Sequence, residues 1–150
     1  MSAVRVRPAI VSDRASLEAL QWRASLQNPT DREALLANPD AIMLPVQQII
    51  ENRVFVAEQG GKIMGFSAIL PREDGNSELD ALFVEPGSWR QGIGRALVDH
   101  SSTSAKSTGA SYLHVVGNPH AEQFYKACGF ESFGTERTRF GVGLLMKRPL

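Results

Sequence analysis

Residues 91–97 read Gln91-Gly92-Ile93-Gly94-Arg95-Ala96-Leu97, and the fold turns on them. They lie where an alternating segment, Glu78 to Val84, passes through a loop into a helical one, Gly92 to about Lys106. Tyr112 to Val116 follows as another strand. A strand, a helix and a strand in succession predict a right-handed crossover and a locally parallel pair. The turn presents unpaired backbone N–H groups at a helix N-terminus, where the helix dipole favours an anion. Gly92 and Gly94 let a phosphate approach without Cβ obstruction, and Arg90 and Arg95 add positive charge. It reads as a candidate diphosphate cradle. A dinucleotide fingerprint needs a third glycine where Leu97 stands and an acidic residue where Val115-Val116-Gly117 runs. A Walker A loop needs Gly-Lys-[Ser/Thr], which is absent.

Upstream of the turn the pattern is antiparallel. Arg53 to Glu58 reads as a strand, Gly60-Gly61 as a tight hairpin turn and Lys62 to Leu70 as a second strand. Apolar residues on both faces of the second strand (Ile63 and Ile69, then Met64, Phe66 and Leu70) place it centrally. Asp74-Gly75-Asn76 makes the next turn. Nearer the start, Val4 to Arg7 alternates as a short strand. Ser12 or Asp13 is the expected N-cap of a helix through Leu17, Leu20 and Trp22 to about Leu26. Asn28 to Pro45 reads as loop with one or two short helices, and Gln47 to Asn52 as helical.

Downstream lies Asn118-Pro119-His120-Ala121-Glu122-Gln123-Phe124-Tyr125-Lys126-Ala127-Cys128-Gly129-Phe130. Asn118 reads as N-cap, Pro119 as the first helical position and Gly129 as the C-terminal cap. Asn118 and Tyr125 are seven apart and share one helical face. Phe124 and Cys128 read as core positions. Phe130 to Phe133 and Arg139 to Met146 complete the strands. The expected class is α+β: a mixed, mostly antiparallel sheet with one βαβ crossover, in a single domain over residues 1–150.

Composition bounds the function. The chain has 150 residues, with 16 Lys+Arg balancing 16 Asp+Glu, so no global field gathers nucleic acid or anionic membrane. The lone cysteine, Cys128, excludes an internal disulfide and a multi-thiolate metal site. His100, His114 and His120 lack ligand spacing, so no metal is expected. No Gly-x-Ser-x-Gly elbow suggests a hydrolase. Met1 to Pro8 lacks an apolar signal region, and no apolar run reaches membrane-spanning length. A cytoplasmic setting is expected, with no nucleic-acid or membrane partner.

Taken together, Gln-Gly-Ile-Gly-Arg-Ala-Leu, a helix, a strand and Asn-Pro-x-Ala-x-x-Phe-Tyr-x-x-x-Gly-Phe resemble the GNAT superfamily of acyl-CoA-dependent N-acetyltransferases. The resemblance implies a three-layer α/β/α fold and a wedge beside the strand Glu78 to Val84. In that wedge the pantetheine arm of acetyl-CoA pairs with backbone of Leu82, Phe83 and Val84. The resemblance further implies diphosphate binding by Arg90, Gln91, Gly92, Ile93, Gly94 and Arg95, and cofactor contact by Asn118. It puts Tyr125 near the thioester sulfur as candidate general acid. The family's first loop position is usually Gln or Arg and the next often Gly; here they are Trp89, read as an apolar anchor for the loop, and Arg90.

An amine must be neutral to attack a thioester, and a lysine-type amine at pKa ~10.4 costs about 4 kcal/mol to deprotonate near neutrality. Glu78 and Asp80, on one strand face near its open end, are the candidate bases, with Glu78 preferred. The expected reaction is acetyl transfer from acetyl-CoA to a primary amine of a small molecule, peptide or protein. The alternative is a non-catalytic acyl-CoA-binding module. The partners are acetyl-CoA and an amine acceptor, and the state is monomer or homodimer, the latter through pairing of the Phe140 to Leu145 strand.

Overall fold

The computed structural model describes residues 3–138 and 141–150. Seven strands form one sheet: β1 (Arg5–Pro8), β2 (Val54–Gln59), β3 (Lys62–Pro71), β4 (Ser77–Val84), β5 (Tyr112–Gly117), β6 (Glu131–Thr138) and β7 (Gly141–Pro149), in the order β1-β2-β3-β4-β5-β7-β6. Among the described residues only β4 and β5 pair in parallel; every other neighbouring pair is antiparallel. The helices are α1 (Arg14–Ser25), α2 (Pro29–Ala37), α3 (Val46–Ile50), α4 (Ile93–Ser107) and α5 (Glu122–Ala127). Helices pack on both faces, giving the three-layer α/β/α arrangement.

Two apolar cores follow from the two faces. Ile93, Leu97, Val98 and Ala105 of α4 pack with Ile69, Leu79, Leu113, Val115, Tyr125 and Met146 on one side. Leu17 and Leu20 of α1, Ile49 of α3, and Val54, Val56, Phe66 and Ala68 form the other. Where α4 crosses β3, α4 side chains and the β4 backbone crowd Gly65. A Cβ there would lie 2.8 Å from the Phe83 carbonyl oxygen and 3.2 Å from Leu97 Cδ1. Gly65→Ala therefore forces backbone to move, and a loss of about 1–3 kcal/mol is expected. Urea denaturation measures it; an unchanged midpoint would show that the strands yield freely.

Several expectations are corrected by the register. Between Ala68↔Ala81 and Ile69↔Leu79, β4 carries one extra residue, Asp80, and β3 carries one, Met64, against β2. These bulges break the simple alternation of β3. Ile63 packs with Phe66 and Ala68, whereas Met64 and Ile69 face α4. Asp13 precedes α1 without a side-chain cap bond. Its carboxylate instead accepts the Ile10 N–H at 2.9 Å and pairs with Arg7, which also holds Glu58.

The last two strands, Glu131–Thr138 and Gly141–Pro149, run on past the expected ends at Phe133 and Met146. Arg139 and Phe140 lie outside the described residues. From Leu144 onward β7 has β5 on one side, and from Gly141 to Lys147 it has β6 on the other. Within the segment expected to pair across a dimer, Leu144 and Leu145 are therefore closed on both sides, and only residues 141–143 lack a β5 neighbour. The edge belongs to β6, whose Glu131, Glu136 and Arg137 carry the charges that discourage edge association. No helix among the described residues is long and apolar enough to cross a membrane.

Candidate active site

The crossover leaves a gap. Strands β4 and β5 pair only at Ser77↔Leu113 and Glu78↔His114, so residues 79–84 and 115–117 diverge as the arms of a wedge. Its closed end is tied by Asn76, whose Oδ1 accepts the N–H groups of Ser111 at 2.9 Å and Tyr112 at 3.1 Å. Its open end is held by Arg23 of α1, bidentate to Glu85 at 2.9 and 2.8 Å. That pair depresses the Glu85 carboxyl pKa. Neither brace announces itself locally, since the partners are 35 and 62 residues apart.

Strand alternation decides which backbone groups face the gap. Glu85 N–H donates to Met64 C=O at 2.8 Å, and the Phe83 carbonyl lies against Gly65. Both point toward β3. The N–H and C=O of Leu82 and Val84 therefore turn into the wedge.

At the open end, α4 begins at Ile93 and its first backbone bond runs from Ala96 N–H to Gly92 C=O at 3.0 Å. The N–H groups of Ile93, Gly94 and Arg95 precede that bond and face the turn. The two glycines have different surroundings. Gly92 holds φ +82° with open space where a Cβ would be, as an approaching anion requires. At Gly94 a Cβ would meet the Phe124 ring at 3.0 Å, so this glycine also makes room for the packing of α5. Arg90 also adopts a left-handed φ, +67°, a conformation that costs a non-glycine residue about 1–2 kcal/mol. Trp89 is no buried anchor: it is 50% exposed, and its Nε1–H donates to Val84 C=O at 3.1 Å.

Across the gap, Asn118 caps the turn after β5, its Oδ1 accepting His120 N–H at 2.9 Å. Its Nδ2 reaches Asp31 of α2 at 3.4 Å. Asp31 was not foreseen. Burial raises its carboxyl pKa, against the lowering pull of His120 and Asn118. Tyr125 packs beneath Gly117, where a Cβ would lie 3.1 Å from its ring. The end of α5 fixes it there: Phe130 N–H bonds Tyr125 C=O at 3.0 Å, and Gly129 turns left-handed at φ +92°. Tyr125 is 8% exposed, and burial pushes its phenol pKa up to about 12. The hydroxyl therefore stays protonated throughout the physiological range.

Leu79 faces α4, so Glu78 and Asp80 share the opposite face. Glu78 lies at the closed end of the wedge and not at the open one, in a recess of about 360 Å³ with Arg72, His114, Phe133 and Glu136. Its pKa is raised, first by burial and then by Asp80 and Glu136, while Arg72 opposes. Asp80 is solvent-exposed as a residue, yet burial of its carboxyl still raises its pKa, with a side-chain contact from Gln48 pulling it down. Extending the β4–β5 register past the bulge puts Leu82 level with Gly117, and so with Tyr125. At about 3.3 Å per residue, Glu78 lies ~10 Å below that level and Asp80 about half as far.

Solved structures share this architecture. The PaiA N-acetyltransferase of Thermoplasma acidophilum, in complex with coenzyme A, aligns over 99% of both chains with TM-score 0.79 and 15% identity. The yncA protein of Salmonella typhimurium, with its cofactor acetyl-CoA, aligns over 99% of this chain and 95% of its own with TM-score 0.75 and 18% identity. An uncharacterized N-acetyltransferase of Mycobacterium tuberculosis is 29% identical over 92 residues, and the match spans 59% of each chain. The acetyltransferase (GNAT) domain family model matches residues 51–132, the stretch that carries both wedge arms, the glycine turn at residues 91–95 and Tyr125, and the chain belongs to that family.

Proposed function

We propose that this protein is an N-acetyltransferase that moves the acetyl group of acetyl-CoA directly to a primary amine of a small molecule, peptide or protein. The observation that carries the reading is the wedge: an unpaired strand edge that ends at a helix N-terminus and faces a buried tyrosine. The Leu82 C=O and the Val84 N–H, which β5 leaves unpaired, are offered to the pantetheine arm, with Phe83 between them. The Gln91 to Arg95 turn takes the diphosphate through main-chain N–H groups, with Arg90 and Arg95 adding charge. Asn118 borders the same gap.

The chemistry divides between the two sheet faces. Tyr125 stands on the α4 side, and Asp80 and Glu78 on the α1 side, so the amine approaches opposite the departing sulfur. Asp80, nearer the level of Tyr125, accepts the amine proton; Glu78 acts deeper, through water. The Leu82 N–H donates to the carbonyl oxygen as it gains charge. The C–N bond forms, the C–S bond breaks, and Tyr125 O–H, as general acid, donates to the departing sulfur, its proton being restored from solvent.

CoA release measured against a panel of small amines and peptides tests this. Release that depends on the amine is expected. Calorimetric binding of acetyl-CoA with no amine-dependent release would instead support a binding module.

A further inference from the structure

Trp89 is a large apolar side chain left half-exposed on the loop that joins the wedge to the anion turn. A short 3-10 turn, Pro86–Ser88, brings it back toward β4. There its Nε1–H is committed to the Val84 carbonyl at 3.1 Å. Val84 C=O is the last wedge-facing acceptor of the strand, so the bond fixes the indole at the exit of the wedge. The polar edge of the ring is thereby used, and what remains for a ligand is apolar surface.

The order of parts along acyl-CoA matches the order of parts along this path. The thioester and the two amides of the arm belong in the wedge, beside Leu82 and Val84. The diphosphate belongs at Ile93 to Arg95. Between amides and diphosphate the molecule carries one branched apolar unit, the dimethyl-bearing pantoyl group. Trp89 occupies the corresponding place on the protein.

We propose that Trp89 is a cofactor-binding residue whose indole forms the apolar wall for the pantoyl segment of acyl-CoA. The assignment rests on the acyl-CoA reading above. It gives the loop a role for the side chain that departs from the family pattern. The bond to Val84 also preorganises the ring, which lowers the ordering cost of binding.

The chain has two tryptophans, so in a Trp22→Phe background the emission belongs to Trp89. Adding CoA or 4′-phosphopantetheine is expected to shift that emission to the blue and to slow acrylamide quenching. Adenosine 3′,5′-bisphosphate is expected to do neither. By calorimetry, Trp89→Ala weakens CoA and 4′-phosphopantetheine about tenfold, whereas Trp89→Phe, which keeps a ring and loses the Val84 bond, stays within about threefold of the parent. If CoA binds without changing the emission, if the bisphosphate alone reproduces the shift, or if Phe proves as damaging as Ala, the assignment is overturned. Absence of CoA binding in the parent protein overturns the acyl-CoA reading itself, and this assignment with it.

Discussion

Tyr125→Phe is expected to lower kcat at least tenfold while leaving acetyl-CoA affinity nearly intact. The ring carries the packing: it sits under Gly117 and stacks edge-on against Phe124 and Phe130, with centroids at 5.3 and 5.4 Å. Phenylalanine preserves all of that and removes only the hydroxyl. A thiolate leaving group, with a thiol pKa ~8.5, gains from a proton delivered as the C–S bond breaks. A phenol raised to about 12 by burial is fully protonated at pH 7; burial makes it the weaker acid, but its O–H is in place to donate to the sulfur as charge develops there. Losing one such donor is a loss of transition-state stabilisation, so it falls on kcat and kcat/KM together. Steady-state rates with a good acceptor and calorimetric binding of acetyl-CoA separate the outcomes. Equal kcat in the two proteins would remove Tyr125 from the chemistry, and a parallel fall in affinity would make its role structural.

The parts of this site that were legible in the sequence are those with a local chemical cause. Gly92 at a helix start, the Asn118-Pro119 cap and the Gly129 stop each satisfy a backbone requirement within a few residues, and each is found where it was expected. The parts that were not legible depend on pairing between distant segments. The bulge that isolates Asp80 is a property of β3 against β4, and nothing in Ser77 to Val84 alone announces it. Asp31 meets Asn118 across 87 residues, because α2 folds over the end of β5. The contact of Gly94 with Phe124 is likewise hidden, since a glycine's missing atom says nothing of what fills the space. The β6–β7 hairpin was misplaced for a similar reason. Edge and interior strands differ in neighbours, and the alternation of Glu131 to Met146 does not tell them apart.

Asp80→Asn should be the most damaging conservative change at the site, lowering kcat/KM about 100-fold, the scale of a lost general base. Glu78→Gln is expected to cost less than tenfold, because Glu78 lies deeper at the closed end and acts through solvent. The pH profile gives the sign. A base works when deprotonated, so the rate is full above the carboxyl pKa and lost as pH falls through it. Burial has raised the Asp80 pKa, so the acid limb should lie above the ordinary aspartate value of ~3.9. Unfolding does not mimic that limb. The Asp13 carboxyl, held low first by its Arg7 bond, contributes stability above its unfolded pKa and loses it only at more acid pH. The raised carboxyls of Asp31, Glu78 and Asp80 work in the opposite sense. They favour the folded state when protonated, so acidification toward pH 4 strengthens their contribution while it silences the base. A fall in kcat/KM over that interval with an unchanged circular dichroism spectrum is the expected pair of results. Removal of the limb by Asp80→Asn, but not by Glu78→Gln, assigns it to the bulge residue. The reverse outcome would move the base to the closed end of the wedge.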